Sequence, residues 1–330
     1  MDQKIFINYN FMIISGDLYK IFYAKDLISE NIGQSFVQSP KAILIDSKIR
    51  IYYTVRCISA SGFPESNIYF SEFTIDFELL MINESNPILK LGNLGEFNEH
   101  GNAYFFPFID GSVYYGLFSG LSRRDNTGIE TAIGISISDN NMISFEKIGP
   151  GPLISTSINQ PMLIGNPFLF KYNDLYYVYY IYGERWIENA ELDGKHSRVY
   201  KIGIKKGHSL INLRETYNNV INDILGENEC QATPCVFEKN GLFHMIFCYR
   251  NYNNFRNNKN KSYKLGYAFS NDLLNWKRED KKLKINFFGD WISEMNCYPS
   301  ILNINNNIYL FCNGNEFGKH AFGIYKLNFL

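Results

Sequence analysis

The chain has 330 residues, 45% hydrophobic and 16% aromatic, which is enough apolar material for a large core. Its 32 basic and 33 acidic residues leave a formal net charge of -1, which excludes a global field for steering onto nucleic acid or an anionic membrane. No apolar run approaches the roughly 18 residues of a spanning helix, and the opening residues lack the pattern of an export signal.

In chain order, two short apolar-aromatic segments come first, at 4–9 and 18–23. A pattern then occurs five times. A proline opens a short apolar strand, at Pro40, Pro107, Pro167, Pro234 and Pro299, in steps of 67, 60, 67 and 65 residues. A tight turn of Asn, Asp or Gly follows, as in Asp110-Gly and Glu238-Lys-Asn-Gly, because these residues tolerate the positive φ of a hairpin. Next comes an aromatic-rich strand with period two, such as Leu175-Tyr-Tyr-Val-Tyr-Tyr or Leu242-Phe-His-Met-Ile-Phe. A longer polar loop leads to a third strand, for example Thr131-Ala-Ile-Gly-Ile-Ser-Ile, and a weak outer strand closes the unit.

Four antiparallel strands repeated around an axis make a propeller blade. The expected fold is therefore all-β: one domain forming a five-bladed β-propeller, with blades at about 35–95, 96–155, 160–225, 227–288 and 292–330. The last blade ends without an outer strand, so one of the N-terminal segments is expected to close the ring by pairing there. Six cysteines, none in a C-x-x-C pair, give no metal-site spacing. They are expected to be reduced and buried, and with no export pattern the expected location is cytoplasmic. No cofactor or metal is required.

In such a blade, the long loops after the second strand share one face with the residues that precede the prolines, and function concentrates there. The polar groups at these two places are the expected site. They are Arg56, His100, Asn102, Asn166, Glu184, Arg185, Trp186, Gln231, Arg250, Asn296, Asn313, Asn315, Glu316 and His320. Carboxylates and amides bind hydroxyls and aromatic rings stack on sugar faces, so the expected ligand is a carbohydrate or nucleotide-sugar. Glu229 and Glu294 each lie five residues before a proline, with Gln231 and Asn296 two residues further on. Paired carboxylates cleave glycosides, one protonating the leaving oxygen and the other acting as base or nucleophile. Glu229 and Glu294 are thus the expected catalytic pair, and Arg56, Arg185 and Arg250 tilt the substrate towards an acidic or phosphorylated sugar.

The repeats, the turn Phe269-Ser-Asn-Asp-Leu-Leu-Asn-Trp-Lys and the tyrosine-rich second strands resemble the five-bladed β-propeller glycosidases. That superfamily includes arabinanases, xylosidases, invertases and mannoside phosphorylases. The stretch from Cys297 to Ile324 resembles members met in bacterial surface-polysaccharide gene clusters. The resemblance implies a carbohydrate-active, glycoside hydrolase-like enzyme. It also implies acids at the start of the first strand in the first three blades, where this chain has Gln38-Ser39-Pro40, Glu99-His100 and Ile164-Gly-Asn-Pro167. That departure keeps two other readings open: a non-catalytic glycan-binding or assembly module, or a glycosyl or acyl transferase using a nucleotide-linked sugar.

Overall fold

A computed structural model of the chain describes residues 12–28, 34–59, 62, 64–83, 86–191 and 195–330. The described strands form five antiparallel units. The first holds β2 (Gln34–Ile45), β3 (Lys48–Ile58), β4 (Pro64–Phe73) and β5 (Leu79–Ile82), and is preceded in the chain by β1 (Ile14–Tyr23). The second holds β6 (Gly101–Asp110), β7 (Val113–Ser122), β8 (Glu130–Ser138) and β9 (Glu146–Lys147), joined to the first by one parallel bridge, Ser66 to Gly101. The third holds β10 (Met162–Tyr172), β11 (Leu175–Ile187), β12 (Ser197–Gly207) and β13 (Glu215–Tyr217). The fourth holds β14 (Cys230–Lys239), β15 (Leu242–Arg250), β16 (Lys264–Ser270) and β17 (Lys277–Arg278), followed by β18 (Leu283–Ile285).

The fifth unit holds β19 (Cys297–Ile304), β20 (Asn307–Asn313) and β21 (Ala321–Phe329). Its outer strand is β1, antiparallel to β21 from Ile14 opposite Phe329 to Tyr23 opposite Ala321. On its other edge β1 runs parallel to β18. The N-terminal segment at 18–23 therefore lies in β1, while the one at 4–9 lies outside the described residues. The first strands touch in cyclic order, β2 to β6 to β10 to β14 to β19 and back to β2. This all-β arrangement is propeller-like, and among the described residues no helix is long and apolar enough to cross a membrane.

The prolines do not open their strands. Each first strand begins ahead of its proline and carries a bulge, with shifts after Gln38, Ala103, Gly165, Ala232 and Cys297. Within each bulge one non-glycine residue is left-handed: Ser39, Tyr104, Asn166, Thr233 and Tyr298, with φ of 55°, 53°, 54°, 50° and 53°. In four units the next residue is the proline, whose lack of an N–H suits a point where the ladder is interrupted. In the second unit Phe105 takes that place and Pro107 is back in register opposite Gly116. The left-handed residues are spaced 65, 62, 67 and 65 apart, a more even ruler than the prolines give.

The bulge amides tie the units together. The Ser39 N–H donates to Asn313 Oδ1 at 2.7 Å, Tyr104 to Thr54 Oγ1 at 3.1 Å, and Asn166 to Ser119 Oγ at 2.9 Å. Each acceptor belongs to the second strand of the preceding unit. Aromatic clusters fill the spaces between neighbouring sheets. Phe22, Phe73, Phe311 and Phe322 pack where the fifth unit meets the first, and Tyr52, Phe70, Phe105 and Phe118 where the first meets the second. Gly116 is required opposite Phe105, because a Cβ there would fall 2.2 Å from the ring.

Near the axis Lys41 is only 3% exposed and donates to the Pro299 carbonyl at 3.1 Å. Burial pushes its ammonium down to about 8, opposed by the neighbouring Cys235 and Cys248. The unfolded chain, titrating near 10.5, binds more protons than the native one between about pH 8 and 10.5, so this group's contribution to stability rises with pH across that window. Urea denaturation of wild type and Lys41→Met at pH 7 and pH 10 is expected to show wild type gaining on the variant by up to roughly 3 kcal/mol at the higher pH. A pH-independent difference would mean that burial leaves the affinity of this amine for its proton unchanged.

Candidate functional site

The bulges aim polar side chains into one funnel around the axis. It encloses about 450 Å³. Its floor carries Gln38, Tyr104, Asn166 and Tyr298, from four of the five first strands. Gln38 Nε2 donates to the Tyr298 hydroxyl at 2.9 Å, and the Tyr104 hydroxyl lies 3.5 Å from it. Asn166 Nδ2 donates to Thr233 Oγ1 at 3.1 Å. Tyr200 and Tyr263 share a short hydrogen bond between hydroxyls on one wall. Burial raises both of these phenols, so they are protonated at neutral pH and can donate to a ligand.

Five arginines line the same cavity: Arg56, Arg123, Arg198, Arg250 and Arg256. One carboxylate, Glu65, and one imidazole, His100, are the other ionisable groups of ordinary carboxylate or histidine type among the lining residues. Arg250 is 1% exposed; its Nε donates to the Tyr200 hydroxyl at 3.0 Å and its Nη1 to the carbonyls of Asn251 and Tyr252. The Arg123 guanidinium donates to the Pro64 carbonyl at 3.1 Å, and its backbone N–H to His100 Nδ1 at 3.4 Å. Arg198 lies 5.9 Å from the Trp186 ring.

Three of the arginines alternate with phenyl rings. Arg56 lies 4.9 Å from the Phe36 ring and 5.9 Å from Phe317; Arg256 lies 5.6 Å from Phe317 and 4.3 Å from Phe255; Arg250 lies 3.5 Å from Phe255. Planar guanidiniums stack on ring faces while their N–H edges point sideways to hydrogen-bond acceptors. Phe317 reaches this position from a turn, Asn315–Gly318, in which Glu316 and Phe317 are left-handed with φ of 51° and 61°. Backbone held in that region by its surroundings is typical of ligand sites.

Of the residues expected from the sequence, Arg56, His100, Asn166 and Arg250 line the funnel. The expected acid pair does not. Glu229 is 0% exposed and faces the interior of its sheet: it accepts from the Ile224 and Leu225 amides, each at 2.9 Å, and from Arg278 Nη1 at 2.6 Å. Gln231 points the same way and donates to Asp223, Glu229 and the Ile221 carbonyl. Glu294 is exposed and lies outside the funnel, beside Asn315 and Glu316 in a neighbouring pocket of about 400 Å³.

Asn102 and Asn313 are fully buried structural amides. Asn102 donates to the Leu89 and Lys90 carbonyls, and Asn313 to those of Val37 and Ala321. Asn296 donates to the Ile292 carbonyl, and Asn315 accepts from the amides of Glu294 and Met295. Glu316 pairs with Lys319 and His320 at the surface. Glu184, Arg185 and Trp186 do not line the funnel; Arg185 bonds Asn228 and the Glu227 carbonyl instead. The sequence reading missed Glu65, Arg198 and the tyrosines at 104, 200, 263 and 298. Tyr104 and Tyr298 were legible only as occupants of the left-handed bulge position. Among the described residues, no group of three or more His, Cys, Asp or Glu could hold a metal ion.

No family model matches the chain. Among curated proteins it is 23% identical over 242 residues to uncharacterized protein MT1551 of Mycobacterium tuberculosis, covering 73% of this chain and 76% of that one. Among solved structures it is similar to an exo-1,5-alpha-L-arabinanase from a bovine ruminal metagenomic library, with TM-score 0.62 and 12% identity over 90% of this chain and 95% of the other. It is also similar to the Cellvibrio cellulosa alpha-L-arabinanase complexed with arabinohexaose, at TM-score 0.59 and 12% identity, covering 89% and 93%. A thermostable family-43 glycoside hydrolase gives TM-score 0.59 and 15% identity, covering 89% and 88%. The likeness shows that the chain shares the fold of these glycoside hydrolase structures.

Glu229 therefore has the environment of a structural acid. Glu229→Ala leaves the Arg278 guanidinium short of its buried partner and is expected to lower stability by about 3–5 kcal/mol in denaturant titrations. A variant of wild-type stability would overturn this assignment.

Proposed function

We propose that this protein is carbohydrate-active and that its funnel takes a sugar bearing a phosphate or carboxylate. The observation that carries this reading is the charge of the cavity: five arginines against the single carboxylate Glu65. Guanidiniums recognise such anions through paired N–H groups, each charged hydrogen bond contributing about 1.5–3 kcal/mol. The tyrosine hydroxyls, Gln38 and Asn166 offer donors and acceptors to sugar hydroxyls on the floor. The glycoside hydrolase fold supports a carbohydrate ligand. Within this reading the five units are the blades of one ring, and β1 closes it; the cyclic contacts of the first strands support that. The free, mostly buried cysteines support a reducing, cytoplasmic setting in surface-polysaccharide metabolism.

Hydrolysis by a carboxylate pair finds no support in the positions of Glu229 and Glu294. Glu65 is the acid or base of this reading, acting singly. The lone carboxylate also favours a second reading, a module that binds the anionic sugar without converting it.

Calorimetric titration with sugar phosphates, uronates and neutral arabino- and xylo-oligosaccharides tests the proposal. The anionic sugars are expected to bind, more weakly as salt rises, and Arg198→Ala or Arg123→Ala to reduce affinity roughly 10- to 100-fold. Equal binding of neutral and anionic sugars would sink it. Turnover lost in Glu65→Gln with binding retained selects the enzyme reading; binding without turnover in wild type selects the module.

A further inference from the structure

The pocket beside the funnel has no role in the reading above. It encloses about 400 Å³ and shares Arg56, Phe255, Arg256 and Phe317 with the funnel, so the ladder of rings and guanidiniums is a common wall. The two sides of that wall differ in charge. On the funnel side Arg198, Arg250 and Arg256 stand close together, and the nearest carboxylate to Arg256 is Glu191 at 4.0 Å. Burial first, and then repulsion from Arg250 and Arg198, pushes the Arg256 guanidinium down. On the pocket side stand Glu294 and Glu316, with Asn315 between them, and one further cation, Lys259.

This division constrains any ligand that spans both spaces. Cations gathered around Arg256 call for more than one negative charge in one place, which a single carboxylate does not bring and a diphosphate does. The two carboxylates of the adjoining pocket accept hydrogen bonds from hydroxyls. The phenyl rings of Phe36 and Phe317 give that pocket flat apolar faces suited to a heteroaromatic ring. A ligand with a sugar at one end, a diphosphate in the middle and a ribose with a planar base at the other matches that order.

We propose that the funnel and side pocket together bind a nucleoside diphosphate-linked sugar. The diphosphate lies on Arg198 and Arg256, the nucleoside enters the pocket beside Phe317, and the sugar occupies the tyrosine-lined floor. This rests on the anionic-sugar reading and specifies its ligand.

Titration calorimetry on the full chain with four ribonucleoside diphosphates, inorganic pyrophosphate, a hexose 1-phosphate and a free uronate tests it. At least one nucleoside diphosphate is expected to bind tenfold or more tighter than pyrophosphate or the hexose phosphate. Phe317→Leu is expected to erase that advantage while leaving pyrophosphate affinity within about twofold, a value that also reports an intact fold. Arg256→Gln is expected to weaken nucleoside diphosphate and pyrophosphate alike. Equal affinity for nucleoside diphosphate, pyrophosphate and hexose phosphate overturns the nucleoside pocket and leaves the anionic-sugar reading standing. Binding of the uronate alone has the same effect. No binding of any phosphate or uronate overturns both.

Discussion

One interaction recurs around the molecule and sets its geometry: in three of the five first strands the amide of a left-handed residue reaches back to the second strand of the unit before it. Asn313, Thr54 and Ser119 accept in three successive junctions. A left-handed non-glycine residue is disfavoured by roughly 1–2 kcal/mol, so the conformation persists where such a bond rewards it. The bond fixes the distance between neighbouring sheets close to the axis. It also turns the bulged residue out of the strand's regular alternation, which is how Tyr104, Asn166 and Tyr298 come to face the funnel.

With the scaffold set this way, the chemistry of the funnel depends on what stands at and beside the bulges. Hydroxyls and amides occupy the floor, guanidiniums the walls, and the buried acid near the fourth bulge is committed to Arg278. The chain shares its fold with arabinanases and other glycoside hydrolases, yet the charge it presents to a ligand is positive.

Much of the frame was legible in the sequence, because the strands declare themselves locally. Alternating aromatics mark the second strands, and Asn, Asp and Gly mark the turns. The prolines marked the bulges to within two residues but were read as strand openings, since a break in pairing and a strand start look alike in one dimension. Period-two alternation correctly placed Glu229 and Gln231 on one side of their strand, where they are hydrogen-bonded to each other. It could not say which side faced the axis, because Arg278, the partner that decides it, lies 49 residues further along. Arg198 and Glu65 carried no local signal at all: each sits at an ordinary strand start, and only the ring brings them together.

The alternating wall of Phe36, Arg56, Phe317, Arg256, Phe255 and Arg250 draws its members from the first, fifth and fourth units. It therefore crosses the junction where the beginning and the end of the repeat array meet. A ligand gripping those guanidiniums bridges that junction as a crosslink would. Its residence time and the lifetime of the folded array become linked quantities, since neither the ligand can leave freely nor the seam part without disturbing the same three side chains.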